Sequence, residues 1–102
     1  MLIRIVKLHF QEDKIQEFLT FFDTIKYDVA NFEGCLGMKL LKDLHHPNTL
    51  FTYSHWINEG ALENYRTSET FTEIWSKIKP WFAERAEAWS AEEYFNGFKI
   101  NS

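Results

Sequence analysis

The sequence has few of the residues that cross-link or divide a chain. It contains one cysteine, Cys35, so no internal disulfide can form, and only two prolines and four glycines in 102 residues. No repeat, low-complexity stretch or Pro/Gly-rich linker is present. We therefore predict one domain at residues 1–95 with a C-terminal tail at 96–102. Cys35 lies in an apolar run and is interpreted as a small buried side chain, not as a catalytic thiol.

A basic cluster and a long apolar run are also missing. The 11 Lys and Arg and the 15 Asp and Glu residues are interspersed and give a net charge of −4, which argues against nucleic acid as a partner. The N-terminal run LIRIVKLHF is too short to span a membrane and is interrupted by Lys7 and His9. It also lacks a signal-peptide pattern. We expect a cytoplasmic protein with no membrane partner.

Aromatic side chains, in contrast, are abundant, with ten Phe, four Trp and four Tyr. A domain of this size buries only about two-thirds of the surface of its unfolded chain. Part of the aromatic surface is therefore expected to be covered by a second subunit or by a ligand. We regard a subunit interface as the first explanation and a bound small molecule as the second.

The periodic patterns predict a β-α-β-β-α order in the first part of the chain. Residues 2–10 form a mostly apolar strand, and residues 13–29 have the spacing of an amphipathic helix. Residues 35–42 and 50–56 are predicted to be two strands of an antiparallel hairpin, with Gly37 at a bulge or a close approach.

The rest of the chain is predicted to contain two short helices and a last strand. Asn58 is a suitable N-cap for the first helix and Ser68 or Thr67 for the second, which Pro80 breaks or kinks. Residues 86–95 suit either a helix or a strand. We interpret them as a fourth strand, because it would pair with the first and complete a ferredoxin-like α+β fold with a four-stranded antiparallel sheet.

A sheet covered by helices on one face leaves its other face bare. The first strand carries apolar side chains on both of its faces, so the bare face would also be apolar. A second copy that packs sheet to sheet would cover it. We therefore predict a homodimer, with the tail NGFKINS reaching toward the partner subunit.

The segment Phe51 to Trp75, FTYSHWINEGALENYRTSETFTEIW, joins a strand that ends at Trp56 to two helix starts. With the strand IRIVKLHF and the turn FEGCLG, it resembles the antibiotic biosynthesis monooxygenase family, small dimeric α+β barrels. The resemblance covers residues 1 to 95 and rests mostly on structural positions. It implies the barrel fold, and for some members the cofactor-free oxygenation of phenolic polyketides or quinols, or the binding and degradation of haem.

Positions that carry chemistry in relatives are occupied differently here. Haem-degrading relatives use an Asn on the first strand, a Trp after the third strand and a His on the last helix, and the matching positions are Lys7, Tyr65 and Trp75. Because an indole N–H is only a donor, Trp75 cannot ligate iron. Many other members carry His where this chain has Tyr65 and Thr70. The resemblance therefore does not imply haem degradation or a His-based site.

Cofactor-free oxygenation needs a dry apolar pocket, a base that removes a phenolic or enolic proton, and donors for the developing oxyanion. Lys7 and His9 share a face of the first strand with Ile3 and Ile5. The register with the Asn of haem-degrading relatives implies that this face points toward the helices, which makes His9 a candidate base. The alternative is a strand-end histidine exposed to water or bonded to backbone.

Five further residues are assigned roles or alternatives. Tyr53 and His55 share a face of the third strand and form a candidate donor and base, although His55 could instead hold a loop. Tyr65, with an ordinary pKa of about 10, is a donor and not a base. Trp75 is a candidate pocket wall, although such an apolar stripe is more often core. Trp56 is predicted to be a core anchor.

The adjacent pair His45-His46 is interpreted as a solvated loop and not as a metal site. Neighbouring residues in a turn point apart, and no carboxylate or cysteine follows at a usual ligand spacing.

The sequence leaves three functional hypotheses. The leading one is a cofactor-independent monooxygenase for a small aromatic or quinol-like compound, with no bound cofactor or metal. The second is a non-catalytic dimeric module that binds a small apolar molecule, and the third is haem binding through another ligand such as His9. The residues assigned to the site are His9, His55, Tyr53, Tyr65, Trp75 and Lys7.

Overall fold

A computed structural model describes residues 1–99. The strands are β1 (Leu2–His9), β2 (Cys35–Lys42), β3 (Thr49–Trp56) and β4 (Glu87–Glu92), and the helices are α1 (Ile15–Ala30), α2 (Glu59–Arg66) and α3 (Glu69–Ile78). One 3-10 turn, Glu12–Lys14, precedes α1, and another, Lys79–Trp81, follows α3. Within residues 1–99, none of the helices has the length and apolar character needed to cross a membrane.

The four strands form one antiparallel sheet in the order β2-β3-β1-β4. The central strands β1 and β3 pair along their whole length, from Leu2 opposite Trp56 to His9 opposite Thr49. The strand predicted within residues 86–95 is confirmed at Glu87–Glu92, where it pairs with the other edge of β1. The fold is therefore the predicted ferredoxin-like α+β arrangement. The predicted tail lies partly outside the described residues.

Side-chain caps fix the starts of the two short helices, as the sequence predicted. The Asn58 Oδ1 atom accepts a hydrogen bond from the backbone N–H of Ala61 at 2.9 Å. The Ser68 Oγ atom accepts one from the backbone N–H of Phe71 at 3.1 Å. Such caps satisfy N–H groups that have no partner within the helix. Pro80 lies in the 3-10 turn after α3, where its missing N–H ends the regular helix.

Two glycines occupy backbone conformations that other residues rarely adopt. Gly37 has φ of 148° and lies at a register shift between β2 and β3, which confirms the predicted bulge. Gly34 has φ of 89°, and a Cβ atom added there would lie 2.5 Å from the Cβ of Ala61. The turn before β2 therefore packs closely on α2.

The two faces of the sheet have different environments. The helix-facing side carries Leu8, Phe10 and Leu50, which are at most 2% exposed. Because side chains alternate along a strand, Lys7 and His9 lie on the opposite side. The prediction that their face points toward the helices is wrong. From residue 5 onward, the helix-facing positions Val6, Leu8 and Phe10 are all apolar, whereas the opposite positions include Lys7 and His9. The more apolar set of side chains forms the core.

The side away from the helices, which we call the open face, remains partly apolar and uncovered. Trp89 is 49% exposed and Leu41 is 45% exposed there. By strand register, the open face comprises Ile3, Ile5, Lys7, His9, Gly37, Lys39, Leu41, Thr49, Phe51, Tyr53, His55, Glu87, Trp89 and Ala91.

Candidate functional site

A cavity of about 320 Å³ lies between the sheet and the helices. Residues of β1, β3 and α1 to α3 contribute most of its lining, and the lining is predominantly apolar. Its walls include Val6, Leu8, Phe18, Phe22, Ile25, Val29, Met38, Leu62, Ile74, Ile78, Ala86 and Ala88. The lining also includes Arg4, Thr52, Ser54, Trp56, Tyr65, Arg66, Phe71 and Trp75.

A continuous series of aromatic rings forms one wall of the cavity. Trp56 stacks on Tyr65 with ring centroids 5.0 Å apart, and Tyr65 meets the edge of Phe71 at 5.3 Å. Phe71 in turn stacks on Trp75 at 5.4 Å with an interplanar angle of 12°. The i, i+4 spacing of Phe71 and Trp75 places them on the same side of α3. The arrangement brings Tyr65 and Trp75 to one wall, with Phe71 between them.

The Tyr65 phenol is available as a hydrogen-bond donor toward the cavity. Within residues 1–99 the hydrogen bonds of Tyr65 outside regular helix pairing involve its carbonyl, which accepts from the Ser68 hydroxyl at 2.6 Å. Burial, with a smaller contribution from Cys35, raises the pKa of the phenol to about 12. Tyr65 is therefore neutral at physiological pH, so its phenol can donate a hydrogen bond to a ligand but is not a base.

The other buried polar groups of this wall satisfy one another. Trp56 is 1% exposed, as expected for a core anchor, and its indole N–H donates to the Ser54 hydroxyl at 2.9 Å. The Ser54 hydroxyl also lies 3.5 Å from the backbone carbonyl of Arg4 and donates to it. These bonds fix the Trp56 ring against Tyr65 and use the donor of the Ser54 hydroxyl and one of its two acceptor sites.

Arg4 and Arg66 are the charged side chains among the described residues that line the cavity. Arg4 projects from β1, and its Nη1 donates to the Ser90 hydroxyl at 3.0 Å. Arg66, in the last turn of α2, lies 3.4 Å from the Glu63 carboxylate. Both arginines also line an adjacent groove that includes Glu59 and Glu63. The positively charged end of the cavity therefore adjoins the surface.

Sequence reasoning missed both arginines. Arg4 is the one charged residue among Leu2, Arg4, Val6, Leu8 and Phe10, the β1 positions that share its face. A lone charge within an otherwise apolar face is a usable signal of a special environment. This signal was outweighed by the register with haem-degrading relatives, which favoured the face of Lys7 and His9.

Of the predicted site residues, Lys7 and His9 lie outside the cavity. The Lys7 ammonium group is 3.8 Å from the Glu87 carboxylate across the neighbouring strand. His9 Nδ1 hydrogen-bonds to the Thr49 hydroxyl at 2.8 Å. Both side chains therefore have partners on the open face of the sheet.

Tyr53 and His55 lie together, but also on the open face. Their rings meet edge to face with centroids 5.0 Å apart. The His55 Nε2 atom is buried and has no hydrogen-bond partner among residues 1–99. The sheet backbone separates this pair from Tyr65 and Trp75, so the structure does not bring the six predicted residues into one site.

Cys35, His45 and His46 lie outside the cavity lining. Cys35 packs beside the cluster that contains Trp56, and burial raises the pKa of its thiol despite its hydrogen bond to the Gly37 carbonyl. His45 and His46 are exposed, and their backbone N–H groups donate to Asp43 at 2.8 and 3.0 Å. No group of three or more potential metal ligands converges anywhere in residues 1–99.

The order of strands and helices defines a ferredoxin-like domain, and a cavity of about 320 Å³ lies between its sheet and its helices. The family model of antibiotic biosynthesis monooxygenases matches residues 1–76. The chain therefore belongs to the antibiotic biosynthesis monooxygenase family.

Solved structures share this fold at low sequence identity. A conserved protein from Methanosarcina mazei Go1 is 24% identical with a TM-score of 0.83, covering 91% of this chain and 93% of its own. An antibiotic biosynthesis monooxygenase is 18% identical with a TM-score of 0.85, covering 91% and 98%. A candidate member from Deinococcus radiodurans is 19% identical with a TM-score of 0.84, covering 100% of both chains. No match was found among curated proteins.

Proposed function

We propose that the protein is a cofactor-independent monooxygenase that acts on a small aromatic or quinol-like compound. The observation that carries the proposal is the apolar cavity of about 320 Å³ with its wall of stacked aromatic rings. Ligand sites in proteins have volumes of about 300–1,000 Å³, so this cavity suits a compound of two or three fused rings. Membership of the monooxygenase family supports the same reaction class.

In this proposal, three residues of the aromatic wall contact the substrate. Trp75 and Phe71 hold the flat face of the substrate, and the neutral Tyr65 phenol donates a hydrogen bond to a substrate oxygen. The reacting species is the substrate anion, whose carbon combines with O₂. The resulting peroxide anion takes a proton from solvent to give a hydroperoxide, and loss of water from the hydroperoxide leaves one oxygen atom in the product. A dry apolar wall protects such an anion from protonation by bulk water.

The cavity lining among residues 1–99 contains no histidine or carboxylate. His9 and His55 therefore remain proposed bases only for a site on the open face, where Tyr53 and Lys7 are their neighbours. For the cavity, we propose that the substrate loses its proton to solvent and is held as an anion.

A second copy of the chain is the proposed cover of the open face. The face carries exposed Trp89 and Leu41 and the unpartnered Nε2 atom of His55. Sheet-to-sheet packing would bury Trp89 and Leu41 and bring polar groups of the second copy near the His55 imidazole. This interface lies on the side of the sheet opposite the cavity, so dimerisation would leave the cavity accessible.

Oxygen uptake with anthrones, naphthols and quinols tests the proposed activity. We expect turnover by the wild-type protein, a loss of about tenfold or more in Tyr65→Phe if its donor stabilises the oxyanion, and weaker substrate binding in Trp75→Ala. Exposed Tyr27→Phe is the matched control. Oxygen uptake with none of these compounds would contradict the proposal. If His9→Ala or His55→Ala abolishes turnover while Tyr65→Phe does not, the reaction takes place on the open face.

A non-catalytic binding module is the second candidate, and the absence of a base from the cavity lining favours it. It predicts that aromatic compounds raise the melting temperature without oxygen consumption. Haem does not fit the cavity through the ligand that the sequence suggested, because His9 lies on the other side of the sheet and bonds to Thr49.

A further inference from the structure

We propose that the cavity selects an aromatic oxyanion, and that Arg4 and Arg66 bind its negatively charged oxygen atoms. This inference rests on the proposed function in one respect, because it assigns the ligand of the same cavity. The chemistry shared by its ligands is a flat aromatic body with one oxyanion at its edge, either a carboxylate or an acidic hydroxyl bound as its phenolate.

Arg4 has N–H donors without a side-chain partner among residues 1–99, and it lies at the wall of the cavity. In the sheet it lies between Ser54 of β3 and Ser90 of β4. A guanidinium group has five N–H donors, and the side-chain partner found for it within residues 1–99 is the neutral hydroxyl of Ser90 at 3.0 Å. No carboxylate among these residues forms a salt bridge with it. A half-buried cation without an anionic partner is a ready site for an anionic ligand.

Arg66 can join Arg4 at little cost. Its ion pair with Glu63 has a separation of 3.4 Å, and the two side chains are 47% and 61% exposed. Exposed pairs of this kind contribute little to stability, so a ligand can compete for the guanidinium group. Glu63 and Glu59 line the adjacent groove and are not part of the cavity lining. The charge that faces the cavity itself is therefore positive.

The electrostatics of Arg4 agree with this assignment. Its partial burial, together with the positive charge of Arg66, lowers the pKa of the guanidinium group, and the Glu63 carboxylate partly offsets that change. The group remains protonated at physiological pH, but its charge is poorly compensated. An anionic ligand would supply the missing negative charge.

The position of the arginines also explains how a cavity without a histidine could hold a reactive anion. A nearby positive charge stabilises the ionised form of an acid and lowers its pKa. The apolar rings of Phe71 and Trp75 would contact the body of the ligand, while Arg4 and Arg66 bind its oxyanion edge. The same groups would then determine both specificity and the ionisation of the substrate.

A binding experiment with isosteric ligands tests the inference without relying on turnover. The probes are 2-naphthoate and neutral 2-naphthamide, with affinity measured from quenching of tryptophan fluorescence. We expect naphthoate to bind about tenfold more tightly or better, since a hydrogen bond to a charged group is stronger than one between neutral groups. Arg4→Met should weaken naphthoate binding by about 10- to 100-fold and change naphthamide binding by less than about threefold.

The chain offers a matched control, because Arg85 is exposed and does not line the cavity. Arg85→Met should leave both affinities unchanged. Arg66→Met should reduce the preference for naphthoate, and Arg4→Lys should retain part of it, since lysine keeps the charge but loses the planar fork. If Arg4→Met does not fold, Arg66→Met and Arg4→Lys are used to test the inference instead.

A third probe, 2-naphthol, distinguishes the two kinds of oxyanion. Binding as the naphtholate, detected by its absorption spectrum at a pH where free naphthol is neutral, identifies a phenolate site. Binding of naphthol in its neutral form, with naphthoate still preferred over naphthamide, identifies a carboxylate site. Equal binding of naphthoate and naphthamide by the wild-type protein, together with neutral bound naphthol, overturns the inference. Charge-selective binding without any oxygen uptake overturns the monooxygenase proposal and leaves the anion site in place.

Discussion

Tyr65→Phe should remove a loss of stability that the wild-type protein undergoes in alkaline solution. Burial raises the pKa of the Tyr65 phenol from 10.0 to about 12 in the folded protein. Between these two pH values the unfolded chain releases the Tyr65 proton while the folded protein retains it. The unfolded state is therefore favoured as pH rises above 10, and the stability that depends on the neutral phenol is lost by the time pH has passed through about 12.

The size of the effect follows from the two pKa values. Each pKa unit corresponds to 1.36 kcal/mol, so Tyr65 should contribute a loss of about 1.4 kcal/mol at pH 11 and about 2.7 kcal/mol well above pH 12. At pH 8 the substitution itself should change the free energy of unfolding by less than about 0.5 kcal/mol. This small change is expected because the phenol has no hydrogen-bond partner within residues 1–99, while the ring of phenylalanine preserves the stack on Trp56.

Urea unfolding at pH 8 and pH 11 measures this difference. Tyr27→Phe is the control, because Tyr27 is 69% exposed. The wild type and Tyr27→Phe should lose about 1.4 kcal/mol more than Tyr65→Phe over this interval. An equal loss in all three proteins would refute the reasoning and would show that Tyr65 ionises at an ordinary pKa. It would also show that burial does not stabilise the neutral phenol in the folded protein.

Three further predictions concern the packing around the site and the open face. Gly34→Ala should destabilise the fold by about 2 kcal/mol or more in urea unfolding, because positive φ and the contact with Ala61 both oppose a Cβ atom. Gly37→Ala has open space around it, so it should show the cost of the backbone strain alone. Ser54→Ala should cost about 1–3 kcal/mol by leaving the buried indole N–H of Trp56 without its acceptor, and the same change should cost less in a Trp56→Phe background. Ile5→Glu should convert the proposed dimer to monomers in sedimentation measurements, and a sedimentation coefficient equal to that of the wild type would contradict the open-face interface.

Much of the fold was predictable because local patterns and pairing rules agreed. The capping residues Asn58 and Ser68 marked the helix starts, and both make the expected side-chain hydrogen bonds. The strand at Glu87–Glu92 was not decided by its own residues, which suit either structure. It was predictable only because the order of the preceding elements left the second edge of β1 free for a partner.

The candidate site was less predictable, because it depends on which face of β1 meets the helices. Both faces contain β-branched or aliphatic residues. The resemblance to haem-degrading relatives, whose Asn matches Lys7, favoured the face of Lys7 and His9. The alternating pattern was the better guide. Arg4 is the single charge on the face that became the core, and its lack of a carboxylate partner within residues 1–99 is visible only in three dimensions.

The separation of the cavity from the histidines makes the pH dependence of turnover decisive between two mechanisms. If His9 or His55 is the base, kcat should rise with one midpoint for every substrate, because the titrating group belongs to the enzyme. If Arg4 and Arg66 stabilise the substrate anion, the midpoint should instead follow the pKa of each substrate, and Arg4→Met should move it to higher pH. A series of naphthols and quinols of graded acidity distinguishes these outcomes. A midpoint that stays constant across the series, and is unaffected by Arg4→Met, would show that a protein base is required. The cavity beside Tyr65 and Trp75 would then not be the complete active site.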